Sequence, residues 1–192
     1  MWRSATKHRP PLAVIQHMSK LFYIGIFCLI FLSFKYENIE TQEGEPFFSD
    51  YNQVLHFKYI ISKEEADKYL FDREENDKDY PNCLFNKLPQ KLDASLAENL
   101  FDLGFIRNEI KKNKFQKLDE IFSYRFTADR IFAECQPVYR DILIFRNKKT
   151  VKGIVQICFA CSQFVFIGTN VETSSFGQQN QPSELEALLY PN

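Results

Sequence analysis

Residues Cys135 to Gly168 read C-Q-P-V-Y-R-D-I-L-I-F-R-N-K-K-T-V-K-G-I-V-Q-I-C-F-A-C-S-Q-F-V-F-I-G. This stretch decides the fold. Asp141 to Arg146 is a short apolar, β-branched run, Val151 to Phe159 is a second, and Gln163 to Gly168 a third. Runs of this length, rich in Val, Ile and Phe and bounded by turn residues, read as strands. Asn147-Lys148-Lys149-Thr150 is a polar turn, and such short connections make neighbouring strands antiparallel. In the second strand, Val151, Gly153, Val155, Ile157 and Phe159 share one face, the better candidate for the core. Lys152, Ile154, Gln156 and Cys158 share the other, so Cys158 leaves the strand on the less apolar side, with Cys161 in the tight turn that follows.

Cys158-x-x-Cys161 has three chemical readings. A zinc knuckle needs further ligands, which Cys83, Cys135 and His56 supply. A redox pair needs a thiol of lowered pKa, usually at a helix N-terminus, and here a strand follows instead. A structural role, as disulfides or small buried apolar thiols, asks least of the surroundings. The four cysteines Cys83, Cys135, Cys158 and Cys161 therefore form the first candidate site. Tyr139-Arg140-Asp141 forms a second. An Arg beside an Asp at the base of a strand can bind a carboxylate or phosphate, although successive strand residues face opposite ways.

The order Cys135-x-Pro137-x-Tyr139-Arg140-Asp141 leading into a strand, then Ile157-Cys158-Phe159-x-Cys161, resembles a family of small exported bacterial proteins of uncharacterised function. Phe176-Gly177 and a leucine-bearing segment with Leu185, Leu188 and Leu189 match its C-terminal arrangement. The resemblance runs from about Leu92 to Tyr190. It implies export and a shared role for Cys135, Cys158 and Cys161, and it brings no activity with it.

The rest of the chain builds around this hairpin. The 192 residues carry a formal net charge of −1, so no global field favours nucleic acid or anionic lipid. The 20 phenylalanines are spread over the expected elements and read as core. Residues 1–34 read as a leader: Leu21 to Phe34 is an uncharged apolar run, shorter than the roughly 20 residues of a spanning helix and suited to the h-region of a secretory signal. Met18-Ser19-Lys20 reads as the natural start of that signal. No small-residue cleavage signature follows, so an uncleaved membrane anchor at residues 21–34 stays open beside a removed signal peptide. Either way the expectation is an exported protein, periplasmic or at the cell envelope, touching the membrane only through this segment. Residues 35–46 read as a polar linker and 47–190 as one globular domain.

Within that domain Val54 to Ile61 reads as a first strand carrying His56, the single histidine beyond the leader. Ser62-Lys63-Glu64-Glu65 is a capping box opening a helix through Ala66, Tyr69 and Leu70. Asp72 to Asp79 is charge-dense but lacks the glycine and final glutamate of a calcium loop. Leu92, Leu96, Leu100 and Leu103 recur at helical spacing with Gly104 as the stop, and Phe115, Leu118, Ile121 and Phe122 mark a further helix. Arg125 to Glu134 reads as a short strand or turn. Ser183 and Glu186 form a second capping box for a final helix.

The expected fold is α+β: an antiparallel meander of about three to four strands packed with three to four short helices. No glycine-rich phosphate loop, histidine pair or nucleophile–base pair appears in the linear sequence, so no catalytic residue is assigned. The expected function is a non-enzymatic, cysteine-containing binding or envelope-accessory domain for a protein or small-molecule ligand, without cofactor. A zinc site on the four cysteines, or a thiol-redox accessory role, are the alternatives.

Overall fold

A computed structural model describes residues 42–71, 80–127 and 135–191. The expected leader, most of the expected linker, the charge-dense stretch 72–79 and residues 128–134 lie outside the described residues. Residues 41–192 form one compact unit. It is an α+β fold on a single antiparallel sheet.

The strands are β1 (Gln53–Lys58), β2 (Ile106–Glu109), β3 (Asp141–Asn147), β4 (Thr150–Cys158) and β5 (Gln163–Ile167), in the spatial order β2-β1-β3-β4-β5. The helices are α1 (Lys63–Phe71), α2 (Leu96–Asp102), α3 (Phe115–Ile121) and α4 (Gln181–Leu189), with single 3-10 turns at Asn82–Leu84 and Lys112–Lys114. The expected meander is β3-β4-β5, turned by Lys148 at φ 55° and by the segment through Cys161. The fifth strand, β2, was not anticipated. Its sequence, Ile-Arg-Asn-Glu, is too short and too polar to show alternation, and all its residues are exposed.

Both faces of the central strands β1, β3 and β4 are buried, which corrects the expectation that one face of β4 is core and the other is not. Leu55, Phe57, Ile142, Ile144, Ile154, Cys158 and Val165 pack against Ala66 of α1, Leu84, and Ala97 and Leu100 of α2. Val54, Leu143, Phe145, Val155 and Ile157 pack against Phe47, Phe48, Leu118 and Ile121 of α3, Phe176, and Leu185 and Leu188 of α4. A bulge explains a second departure. Phe145 pairs with Gly153 while Arg146 pairs with Val151, leaving Lys152 as the extra residue. The extra residue shifts the alternation, so Val151 joins the cluster of Ile154 rather than that of Val155.

Local signals read as expected at α1: Glu65 N–H donates to Ser62 Oγ at 3.1 Å and Ser62 N–H to Glu65 Oε2 at 3.2 Å. At α4 they do not. The helix starts at Gln181, after Asn180, with Pro182 in the first turn, so Ser183 lies inside it rather than capping it. Gly104, at φ 90°, closes the α2 connection as expected, but Leu92 precedes α2 and instead packs beside Gly168. The end of the expected linker is bonded into the fold: Gly44 N–H donates to Tyr124 O at 2.9 Å, Tyr124 N–H to Glu45 O at 2.8 Å, and Pro46 bridges Ser123.

Candidate functional site

β1 and β3 run antiparallel with His56 opposite Leu143 and Lys58 opposite Asp141. His56, Lys58 and Asp141 therefore share one face, and His56 and Asp141 are diagonal neighbours. His56 Nε2 lies 2.7 Å from Asp141 Oδ1, to which the ring N–H donates. Tyr190, just beyond α4, donates its hydroxyl to the same Oδ1. Burial and the neighbouring Asp141 carboxylate raise the Tyr190 pKa, so the phenol keeps its proton and acts as donor. His56 is 2 % exposed and its ring meets that of Tyr190 edge-on at 5.9 Å. This buried pair locks β1, β3 and the end of α4 together. The imidazole is enclosed by the fold, with its ring nitrogen engaged by Asp141.

The open space lies beside the pair. A cleft of about 390 Å³ is lined by Lys58, Ile60, Arg140, Asp141, Glu186 and Tyr190, among others. Lys58 Nζ stands 4.2 Å above the centre of the Tyr190 ring. The Arg140 guanidinium makes one long contact, 3.5 Å from Nη1 to Ile61 O. Neither cation forms an ion pair with a described carboxylate: Asp141 is engaged by His56 and Tyr190. Two half-buried cations without ionic partners among the described residues can receive an anionic group. The larger hollow, about 890 Å³ beside α3, differs. Its carboxylates are already occupied, Asp50 by Lys152, Asp119 by Tyr51 and Glu43 by the Phe126 N–H.

Of the expected polar trio, Arg140 and Asp141 line this cleft together. Tyr139 does not join them. Its ring is buried against the opposite face of the sheet, its N–H donates to Leu84 O at 2.7 Å, and burial raises its pKa.

The cysteines do not meet at one point. Cys135 and Cys161 form a disulfide, with Cα atoms 6.0 Å apart. Cys158 is free and buried, its sulfur accepting from Val138 N–H at 3.4 Å. Cys83 is free and half-buried, and burial pushes its thiol up to about 11. Among the described residues no group of three or more His, Cys, Asp or Glu side chains is placed to hold a metal ion. The four-cysteine zinc arrangement is thus not assembled, because two of its thiolates are consumed by the bridge. The Cys158–Cys161 redox pairing is not formed either: Cys161 is bonded to Cys135, and Cys158 is sealed in the core. What sequence reading missed is the link between His56 and Asp141, separated by 85 positions. The one signal for it was a histidine inside one apolar strand and an aspartate at the start of another.

Among the described residues no helix is long and apolar enough to cross a membrane, and the apolar run at residues 21–34 lies outside them. No family model, curated protein or solved structure matches the chain.

Proposed function

We propose that this chain is an exported, disulfide-stapled binding domain that works without turnover, and that its ligand presents a carboxylate or phosphate to the cleft between Lys58 and Arg140. The observation that carries this reading is the pair of cations, without an ionic partner among the described residues, that line a cleft whose floor is already locked by His56, Asp141 and Tyr190. A preformed floor reduces the ordering cost of binding. The buried imidazole favours binding over acid–base chemistry, since a general base must reach the proton it moves. Export is supported by the apolar leader and by the Cys135–Cys161 bridge, which suits an oxidising compartment.

The test is titration of the oxidised full chain with inorganic phosphate, and with a short peptide bearing either a free or an amidated C-terminus, at low salt. Saturable binding of one anion, lost in Arg140→Ala and weakened in Lys58→Ala, is the expected result. Equal response to free and amidated peptide, with no response to phosphate, would remove the cleft from consideration. Retention of the bridge in protein recovered from the cell surface or periplasm tests the export half separately.

A further inference from the structure

β2 is an edge strand, and its outer side faces no other part of the sheet. It reads Ile106-Arg107-Asn108-Glu109 and continues into Ile110. Which of its main-chain groups are free follows from the ladder. Leu55 stands opposite Glu109, and Ile110 N–H donates to Val54 O at 2.9 Å, one step further along the same register. In an antiparallel ladder hydrogen-bonded pairs alternate with non-bonded ones, so Ile106, Asn108 and Ile110 turn their N–H and C=O groups toward β1. The β1–β3 side agrees: Tyr59 N–H donates to Arg140 O at 2.8 Å, which assigns the odd-numbered residues of β1 to β3 and the even-numbered ones to β2. Arg107 and Glu109 therefore present their N–H and C=O groups outward.

We infer that this edge pairs with β2 of a second copy, antiparallel about a two-fold axis at Asn108, joining two five-stranded sheets into one. Only residues with outward main-chain groups can form the bonded pairs, which restricts the choice of register. Arg107 opposite its own equivalent places two guanidinium groups together, and Glu109 opposite its own equivalent places two carboxylates together. Like charges directly opposite are unfavourable. The remaining register sets Arg107 opposite Glu109 of the second copy, and Glu109 opposite the second Arg107. It makes four main-chain hydrogen bonds and two opposite-charge pairs. Neither Arg107 nor Glu109 has an ionic partner among the described residues; Glu109 Oε2 accepts only from Gln53 Nε2, at 2.8 Å. On the other face the same register places Ile106, 49 % exposed, opposite Ile110 of the second copy. Charged side chains alone would merely shield a lone edge. An Arg-x-Glu order that matches itself across a two-fold, in the one register left once the free main-chain groups and like-charge repulsion have both acted, specifies a partner. The opposite edge, β5, lacks this: Gln-Phe-Val-Phe-Ile carries no charged residue to select a register.

The register can be read by cross-linking. Asn108 would face its own equivalent as a non-bonded pair, with Cα atoms about 4.5 Å apart, inside the range a disulfide bridges. The full chain with Asn108→Cys, in a mild detergent that covers its N-terminal apolar run, is oxidised gently and resolved without reductant, with the native-cysteine chain as control. The expected result is a covalent dimer specific to Asn108→Cys. Adding Arg107→Glu should slow its formation about tenfold or more, by turning two attractions into two repulsions. Adding Arg107→Glu with Glu109→Arg together should restore it, which also shows that the charge variants still fold. No cross-link beyond the control at about 100 μM, a modest concentration for a weak dimer, overturns the inference. So does a cross-link indifferent to Arg107→Glu, or one that the double exchange fails to recover.

Discussion

Gly153 and Phe48 compete for one volume. A β-carbon built on Gly153 would lie 2.1 Å from Phe48 Cδ1, and the Phe48 ring stacks on Phe145 with centroids 4.6 Å apart. The glycine sits mid-strand in β4, where it weakens a strand by its freedom in the unfolded chain. Here that cost is offset, because the missing side chain lets an aromatic ring from the segment before β1 lie against the sheet backbone. Phe48 joins Phe122, Phe145 and Phe166 in one aromatic cluster, and Phe176 joins it through Phe122 and Phe166.

Gly153→Ala should therefore destabilise the domain by about 1–3 kcal/mol through overpacking. In a Phe48→Ala background the same change should cost nothing or stabilise, since the methyl then fills vacated space. Urea unfolding of the four members of this cycle measures it. Additive effects would mean that the two positions do not share the space.

Gln156 is the second device. It is fully buried, yet its amide is satisfied by three backbone groups of the loop between α1 and α2: Leu88 N–H donates to Oε1 at 2.6 Å, and Nε2 donates to Cys83 O at 3.1 Å and Asn86 O at 3.2 Å. Gln156→Leu keeps the volume and strands those groups, so a loss of about 3 kcal/mol is expected. Residues 82–88 should also lose hydrogen-exchange protection first. A variant with native exchange in this loop would show that the loop is held by its apolar contacts instead.

Asp141→Asn removes the charged acceptor shared by His56 and Tyr190, and a loss of about 2 kcal/mol is expected. Tyr190→Phe should cost less, because the His56 bond survives it. If the two variants were equally damaging, the hydroxyl and not the imidazole would be the main partner of Asp141. Thermal melts at neutral pH decide between these outcomes.

Which parts of this were legible follows from what each part depends on. β3, β4 and β5 announce themselves by β-branched runs, and α3 by the spacing of Leu118 and Ile121, because burial acts there on consecutive residues of one element. Gln156 was legible only as polar. A polar residue on a strand face normally marks solvent, and its three partners lie about 70 positions earlier in the chain. The bulge at Lys152 depends on the partner strand and leaves no mark in β4 alone. The bridge had the same limit: Cys135 could have paired with Cys83, Cys158 or Cys161 on spacing alone. The cleft was half legible. Arg140 and Asp141 were marked as neighbours, but Tyr139 is withdrawn by the opposite core and Tyr190 arrives from the far end of the chain.

The Cys135–Cys161 bridge closes a loop with a sequence separation of 26, which in the chain-entropy account contributes about 3–4 kcal/mol. The double variant Cys135→Ser with Cys161→Ser should lose stability of that order. It should also expose Cys158 to alkylation more readily than in the bridged protein, where that thiol is buried. Unchanged stability on removing the bridge would mean that the segment it ties down is held fully by its own packing.

Cys83 gives the alkaline limit of stability a specific cause. Burial pushes its thiol from an ordinary 9.0 up to about 11 in the folded state. The folded state thus holds its proton more tightly than the unfolded state does. The contribution is fully present below pH 9.0 and is lost progressively as pH rises toward about 11, as the unfolded chain ionises first. Cys83→Ala deletes this linkage while leaving Tyr51 and Tyr190, whose raised pKa values also weaken the fold at high pH, untouched. The difference in unfolding free energy between native chain and variant, followed upward from pH 8, should therefore shrink across that window and level off above it. A difference that stays constant with pH would place the thiolate in water in both states, and the half-buried position of Cys83 against the inner core would then be wrong.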